Sequence, residues 1–228
     1  MKKFLTCLTL ICSGWVTAQI LSDSSTSGER YFEDQFYLGV TYNFVRNKPD
    51  GLSQRNLSYG LNAGFIRDIP LNESGTRALG IGLGLALNTY YSNLVADEID
   101  GGFTYELIVN NPDFKRSKLE THAIEFPLEF RWRNSTPEEY RFWRVYAGIK
   151  AAYIIGARSK LVTENLKDSF FNTDIKDFQY GLTINLGYNT FNIHAYYSLS
   201  DLFESSETVN GEAIGFRPLR IGIIFYIL

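Results

Sequence analysis

Cysteine is almost missing from this chain, and the two that occur, Cys7 and Cys12, both lie in its first twelve residues. If that segment is removed, neither a disulfide framework nor a cysteine-based zinc site remains. Histidine is equally scarce, with only His122 and His194, far apart in sequence. Beyond the N-terminal segment no long run is continuously apolar, so helical membrane spans are not expected. Excess positive charge is lacking too: 22 Lys and Arg stand against 25 Asp and Glu, a formal charge of −3. That balance argues against a nucleic-acid partner. A phosphate-binding glycine loop is also absent, because Gly80, Gly82 and Gly84 alternate within an apolar run instead of opening a helix.

What is present starts with an export signal. Met1-Lys2-Lys3 precedes an uncharged, mostly apolar stretch from Phe4 to Val16, and Val16-Thr17-Ala18 puts small residues before a cut ahead of Gln19. Cys12 follows Leu10 and Ile11, which does not suit lipid attachment. Residues 1–18 are therefore expected to be a cleaved signal peptide, and its removal takes Lys2 and Lys3 and moves the charge from −3 to −5. Residues 19–34 read as a polar, disordered lead-in. Residues 35–228 read as one domain.

The chain is rich in aromatics (15 Tyr, 17 Phe), and that domain holds most of them and most of the 19 Gly, the usual enrichment of membrane barrels. Period-two alternation recurs through it. In Phe36–Phe44 the apolar partners are Phe36, Leu38, Val40, Tyr42 and Phe44. In Leu57–Phe65 and Leu79–Tyr91 the apolar face alternates with Gly, Ser and Asn. A helix would not carry Gly at every second residue, since each costs about 1 kcal/mol there. The clearest run sets Ile124, Phe126, Leu128, Phe130 and Trp132 against Glu125, Pro127, Glu129, Arg131 and Arg133. Further runs are Arg144–Arg158, Tyr180–Tyr188, Phe191–Leu199 with a tight turn near Asn189-Thr190, and Leu219–Leu228.

Runs of about ten residues match tilted strands crossing a bilayer. Short links (68–76, 134–141, 189–190) alternate with long polar ones (45–56, 92–121, 159–177, 200–217), the mark of short periplasmic turns and long outer loops. The expected fold is all-β, an antiparallel up-and-down transmembrane barrel of about eight strands in the outer membrane. Its termini are expected in the periplasm, and outer-membrane lipid and the barrel-insertion machinery are its expected partners. The alternative is a soluble barrel with its apolar face inward. The charged face of Ile124–Arg133 and the strand that ends the chain weigh against it.

Little here suggests catalysis, so no enzymatic activity and no cofactor are expected. His194 and Ser198 alternate on one strand face, which should be the lumen, where a lipid-acting Ser/His pair would be misplaced. Asp97, Glu98 and Asp100 form an acidic group in a long loop that reads as solvated rather than as a calcium site. The constellation that matters is ionic: Glu125, Glu129, Arg131, Arg133, Arg144 and Lys150 should share a narrow lumen. An eight-stranded barrel has room there for side chains but not for a pore. Unpaired buried charge is costly, so a salt-bridged plug is expected.

The segment Ile124-Glu125-Phe126-Pro127-Leu128-Glu129-Phe130-Arg131-Trp132-Arg133, followed by Asn134-Ser135-Thr136-Pro137 and Tyr140-Arg141-Phe142-Trp143-Arg144-Val145-Tyr146, resembles PorT. PorT is an outer-membrane barrel family of Bacteroidota associated with type IX secretion and, in gliding species, gliding motility. The resemblance implies a non-enzymatic component of that export machine, with other secretion components as partners. By position, the turn containing Ser135, Thr136, Pro137, Glu138, Glu139, Tyr140 and Arg141, with Trp143, would face the periplasm and dock such a partner. Trp132, Tyr140, Phe142 and Trp143 would crowd the membrane interface. The competing readings are a general structural or adhesive small barrel and, more remotely, a lipid-modifying enzyme.

Overall fold

A computed structural model describes residues 34–99, 101–134, 143–188 and 191–227. The expected signal peptide, nearly all of the expected lead-in, the segment 135–142 and the tight turn expected near Asn189-Thr190 lie outside the described residues. Thirteen strands are present among the described residues: β1 Asp34–Arg46, β2 Tyr59–Pro70, β3 Arg77–Ser92, β4 Leu94–Ile99, β5 Gly102–Leu107, β6 Phe114–Arg133, β7 Trp143–Thr163, β8 Lys167–Phe171, β9 Phe178–Tyr188, β10 Phe191–Ser198, β11 Thr208–Val209, β12 Glu212–Ala213 and β13 Arg217–Ile227. Eight of them (β1, β2, β3, β6, β7, β9, β10 and β13) pair antiparallel in the order β6-β3-β2-β1-β13-β10-β9-β7, and β6–β7 closes the ring. The fold is a closed eight-stranded barrel. The extra strand β8 hydrogen-bonds to the far end of β7.

Closure explains why so apolar a set of strands needs no covering layer. Every strand of the ring has a partner on both sides, so no hydrogen-bonding edge faces lipid. The side chains that point outward are those of the apolar face: Phe36, Leu38, Val40 and Phe44 on β1, Ile81, Leu83 and Leu85 on β3, and Phe126, Leu128, Phe130 and Trp132 on β6 are all exposed. The alternate positions are buried. Such a belt extends about 26 Å along a strand and, at the usual tilt, gives roughly 19 Å of height before side-chain reach is added. An outward apolar belt around a polar interior reverses the arrangement of a soluble barrel.

The strands are less uniform than ten residues each. β6 has 20 residues and β7 has 21, and their hairpin continues well beyond the belt at the long-loop end. Its register shifts between His122 and Ala123, opposite Gly156 and Ile154. That irregularity marks where the apolar outward face gives way to charge. At Pro127, which has no N–H to give, the β3–β6 ladder lapses between Ile81↔Leu128 and Gly84↔Glu125 and then resumes without a shift.

The long links are not merely polar connections. The 92–121 link contains the β4–β5 hairpin and the outer half of β6, and the 200–217 link contains β11–β12. Together these segments fold into an apolar cap. Leu52, Leu94, Ile175, Leu202, Phe203, Val209, Ile214 and Phe216 are buried against Tyr90, Leu119, Ala123 and Ile154 of the barrel wall. The sequence pattern missed this because the cap's apolar residues come from separate links, and none of them shows a period.

Candidate functional site: a filled lumen

Below the cap, the interior of the ring holds two ionic groups. The first centres on Glu125 of β6, which is fully buried. Its carboxylate accepts from the Lys150 ammonium of β7 at 2.9 Å and from the Arg220 guanidinium of β13 at 3.1 Å. Arg220 also donates to Asn88 of β3 at 3.1 Å, and its guanidinium lies 3.8 Å from the centre of the Tyr196 ring. Three strands, β6, β7 and β13, are thus joined through one carboxylate, and Arg220 extends the group to β3 and β10.

The second group centres on Arg131, which is 1% exposed. It donates to Asp68 of β2 at 2.7 Å, to Glu129 at 3.1 Å and to Gln35 of β1 at 3.0 Å. Its guanidinium packs against the rings of Tyr146 and Tyr226, at 4.4 and 5.0 Å. Arg133 reaches the other Asp68 oxygen at 3.3 Å and the Gly75 carbonyl at 2.8 Å. Glu129 accepts from Asn185 of β9 at 3.1 Å, and Asn185 in turn contacts the His194 ring of β10. This chain of contacts leads from β2 across the lumen to β10.

Of the six residues expected in the lumen, the structure brings Glu125 and Lys150 into direct contact, and joins Glu129, Arg131 and Arg133 through Arg131 and Asp68. Arg144 is half-buried and stands directly opposite Arg133 in the β6–β7 register. Two members were missed. The short link expected at 68–76 takes in Asp68, but β2 runs on to Pro70 and keeps Asp68 in phase with Asn62, Gly64 and Ile66. Arg220 alternates with Gly222 and Ile224, so continuing the period inward would have found both.

His194 is buried in the lumen against Asn185, and no hydrogen bond joins it to Ser198, whose hydroxyl donates to the Ser200 carbonyl. Asp97 and Glu98 lie on β4, and Asp100 falls outside the described residues. Among the described residues no three His, Cys, Asp or Glu side chains are grouped so as to hold a metal ion. Of the proposed docking turn, residues 135–141 lie outside the described part. Trp143, at the start of β7, is exposed and packs against the Tyr188 ring at 5.0 Å, and Trp132 is exposed on the neighbouring strand.

In the cap, the Tyr105 hydroxyl donates to the Asp174 carboxylate at 2.9 Å and accepts from Asn172 at 3.0 Å. Burial, reinforced by the bond to the Asp174 carboxylate, pushes the Tyr105 phenol above its ordinary pKa. The same Asn172 amide donates to Ser159 of β7, which ties the cap to the wall.

The geometry is that of a rigid cylinder packed with polar contacts at mid-height and closed by an apolar cap at the long-loop end. Comparison with curated proteins finds no match to this chain. Residues 17–204 match the family described as "Outer membrane protein beta-barrel domain". With an outward apolar belt and a closed eight-stranded ring behind that match, the chain belongs to this outer-membrane β-barrel family.

Proposed function

We propose that this protein is a non-enzymatic outer-membrane component of type IX secretion, and of gliding where the cell glides, acting by docking other components rather than by conducting substrate. The observation that carries this reading is the resemblance of Ile124–Tyr146 to PorT, above all the Phe130-Arg131-Trp132-Arg133 run and the Tyr140–Trp143 continuation. The filled lumen supports it, since a barrel packed with Arg131, Glu125 and Arg220 leaves no path for a polypeptide. What such a barrel offers a machine is a fixed platform in the membrane, with its short-link end as the docking surface. The role of the lumen is structural in this reading: its acids, bases and His194 are engaged with one another.

The test is the culture-supernatant proteome of a clean deletion strain beside its parent. Proteins bearing C-terminal sorting domains are expected to vanish from the medium and accumulate in the periplasm. An unchanged secretome overturns the secretion role and favours a structural or adhesive barrel. A changed lipid A mass would instead favour a lipid-modifying enzyme.

A further inference from the structure

The belt ends abruptly on the wall formed by β6 and β7. At the long-loop end of these strands Ser117, Leu119 and Ser159 turn inward, so Arg116, Lys118, Glu120 and His122 on β6, with Arg158 and Lys160 on β7, point outward. Lys118 and Lys160 stand directly opposite each other in the register. Like charges in that position repel and destabilise a sheet. Glu120 is already shared by Lys118 and His122, at 2.5 and 3.2 Å. Glu120 also faces Arg158 in the register, and among the described residues no salt bridge is formed by Arg116, Arg158 or Lys160, so the outward cations outnumber the one carboxylate.

Lower on the same face, His122 and Ile155 form one edge of a shallow apolar concavity that spreads sideways over β3, β2 and β1, past Leu87, Leu85, Ala63 and Leu38. It falls within the belt, on the part of the wall that faces hydrocarbon. Tyr91 neighbours Lys118 on β3, a residue type that favours the headgroup level. In outer-membrane barrels the long-loop end is the outer one. The cations therefore stand at the level of outer-leaflet headgroups, above a recess of acyl-chain character.

We propose that this wall binds an anionic, phosphate-bearing lipid of the outer leaflet, with its phosphate held by Lys118, Lys160 and Arg158 and one acyl chain laid in the recess beneath His122. The excess of outward cations over Glu120 is then a site for shared anion contact. The inference rests on the barrel and its orientation and is independent of the secretion role.

The test uses the mature full chain in neutral detergent, titrated with dimyristoyl phosphatidylglycerol or dimyristoyl phosphatidylcholine and read by native mass spectrometry. The anionic lipid is expected to be retained with about tenfold preference, two cations near the headgroup each contributing to it. The double variant Lys118→Gln/Lys160→Gln is expected to reduce that preference to near parity, while Lys118→Arg/Lys160→Arg keeps it. Heat-modifiable gel migration identifies which variants are folded. Equal retention of both lipids by the unaltered protein overturns the proposal. So does a preference that survives Lys118→Gln/Lys160→Gln, or one lost equally in Lys48→Gln/Lys176→Gln on the distant cap.

Discussion

The phenol of Tyr37, reaching inward from β1, occupies the space that a Cβ on Gly84 of β3 would need. Its ring also lies over Gly64 of the intervening β2. Further along β3, Gly80 leaves its place on the wall to the Arg131 side chain. The glycines at alternate positions of β3 are thus the counterpart of the large side chains in the lumen: a bare wall on one side makes room for an aromatic or a guanidinium from another.

Gly84→Ala is expected to destabilise the barrel by about 1–3 kcal/mol, the range for overpacking a tight interior. Denaturant unfolding in lipid vesicles measures it. Tyr37→Phe in the same chain should recover part of the loss, because the phenol oxygen is the nearest atom. If Gly84→Ala folds with unchanged stability, the close packing described here is wrong.

Glu125→Gln removes the one carboxylate that satisfies both Lys150 and Arg220. The expected cost is about 3–5 kcal/mol, as for breaking a buried ion pair from one side. Adding Lys150→Met should return some of that stability, since it removes one of the stranded charges. A second change that simply adds its own cost would show that Glu125 and Lys150 are not coupled.

Planar-bilayer recordings should show no stable openings on the nanosiemens scale. Phe203→Ala/Phe216→Ala, which loosens the cap, should leave the protein closed, because the Glu125 and Arg131 groups still fill the lumen beneath. Steady large conductance in the unaltered protein would exclude the filled lumen.

The cap should weaken in alkali. Tyr105 has a folded-state pKa above its unfolded value, so its contribution is complete below the unfolded value, near 10. It is lost as pH rises from there through the folded value, because the unfolded chain releases the proton first. Cap opening followed by hydrogen exchange should therefore increase above about pH 10. The increase should be smaller in Tyr105→Phe, which has no proton to lose.

Replacing Glu138, Glu139 and Arg141 together by alanine is expected to block secretion while the barrel still inserts and migrates as folded. Normal secretion by that variant would remove residues 135–141 as the docking element of the proposed secretion role.

The strand pattern was legible in the alternation of residues, because a closed sheet in lipid imposes a period of two on every strand. Phe36–Phe44 and Ile124–Arg133 carry that period, and the exposed apolar face in the structure sets the membrane barrel against a soluble one. The sequence also placed Glu125, Glu129, Arg131, Arg133 and Lys150 on the inward face, since facing is a local property of alternation. Which charges meet was decided only by closure. Asp68 and Arg131 are 63 residues apart, and Arg220 and Glu125 are 95 apart. Those contacts depend on the register of strands that lie far apart in the chain, and no local pattern encodes it. The cap belongs to the same class. Leu52, Leu94, Ile175 and Phe216 gain their burial only when the ring brings four separate loops to one rim, so their partnership is a property of the tertiary structure alone.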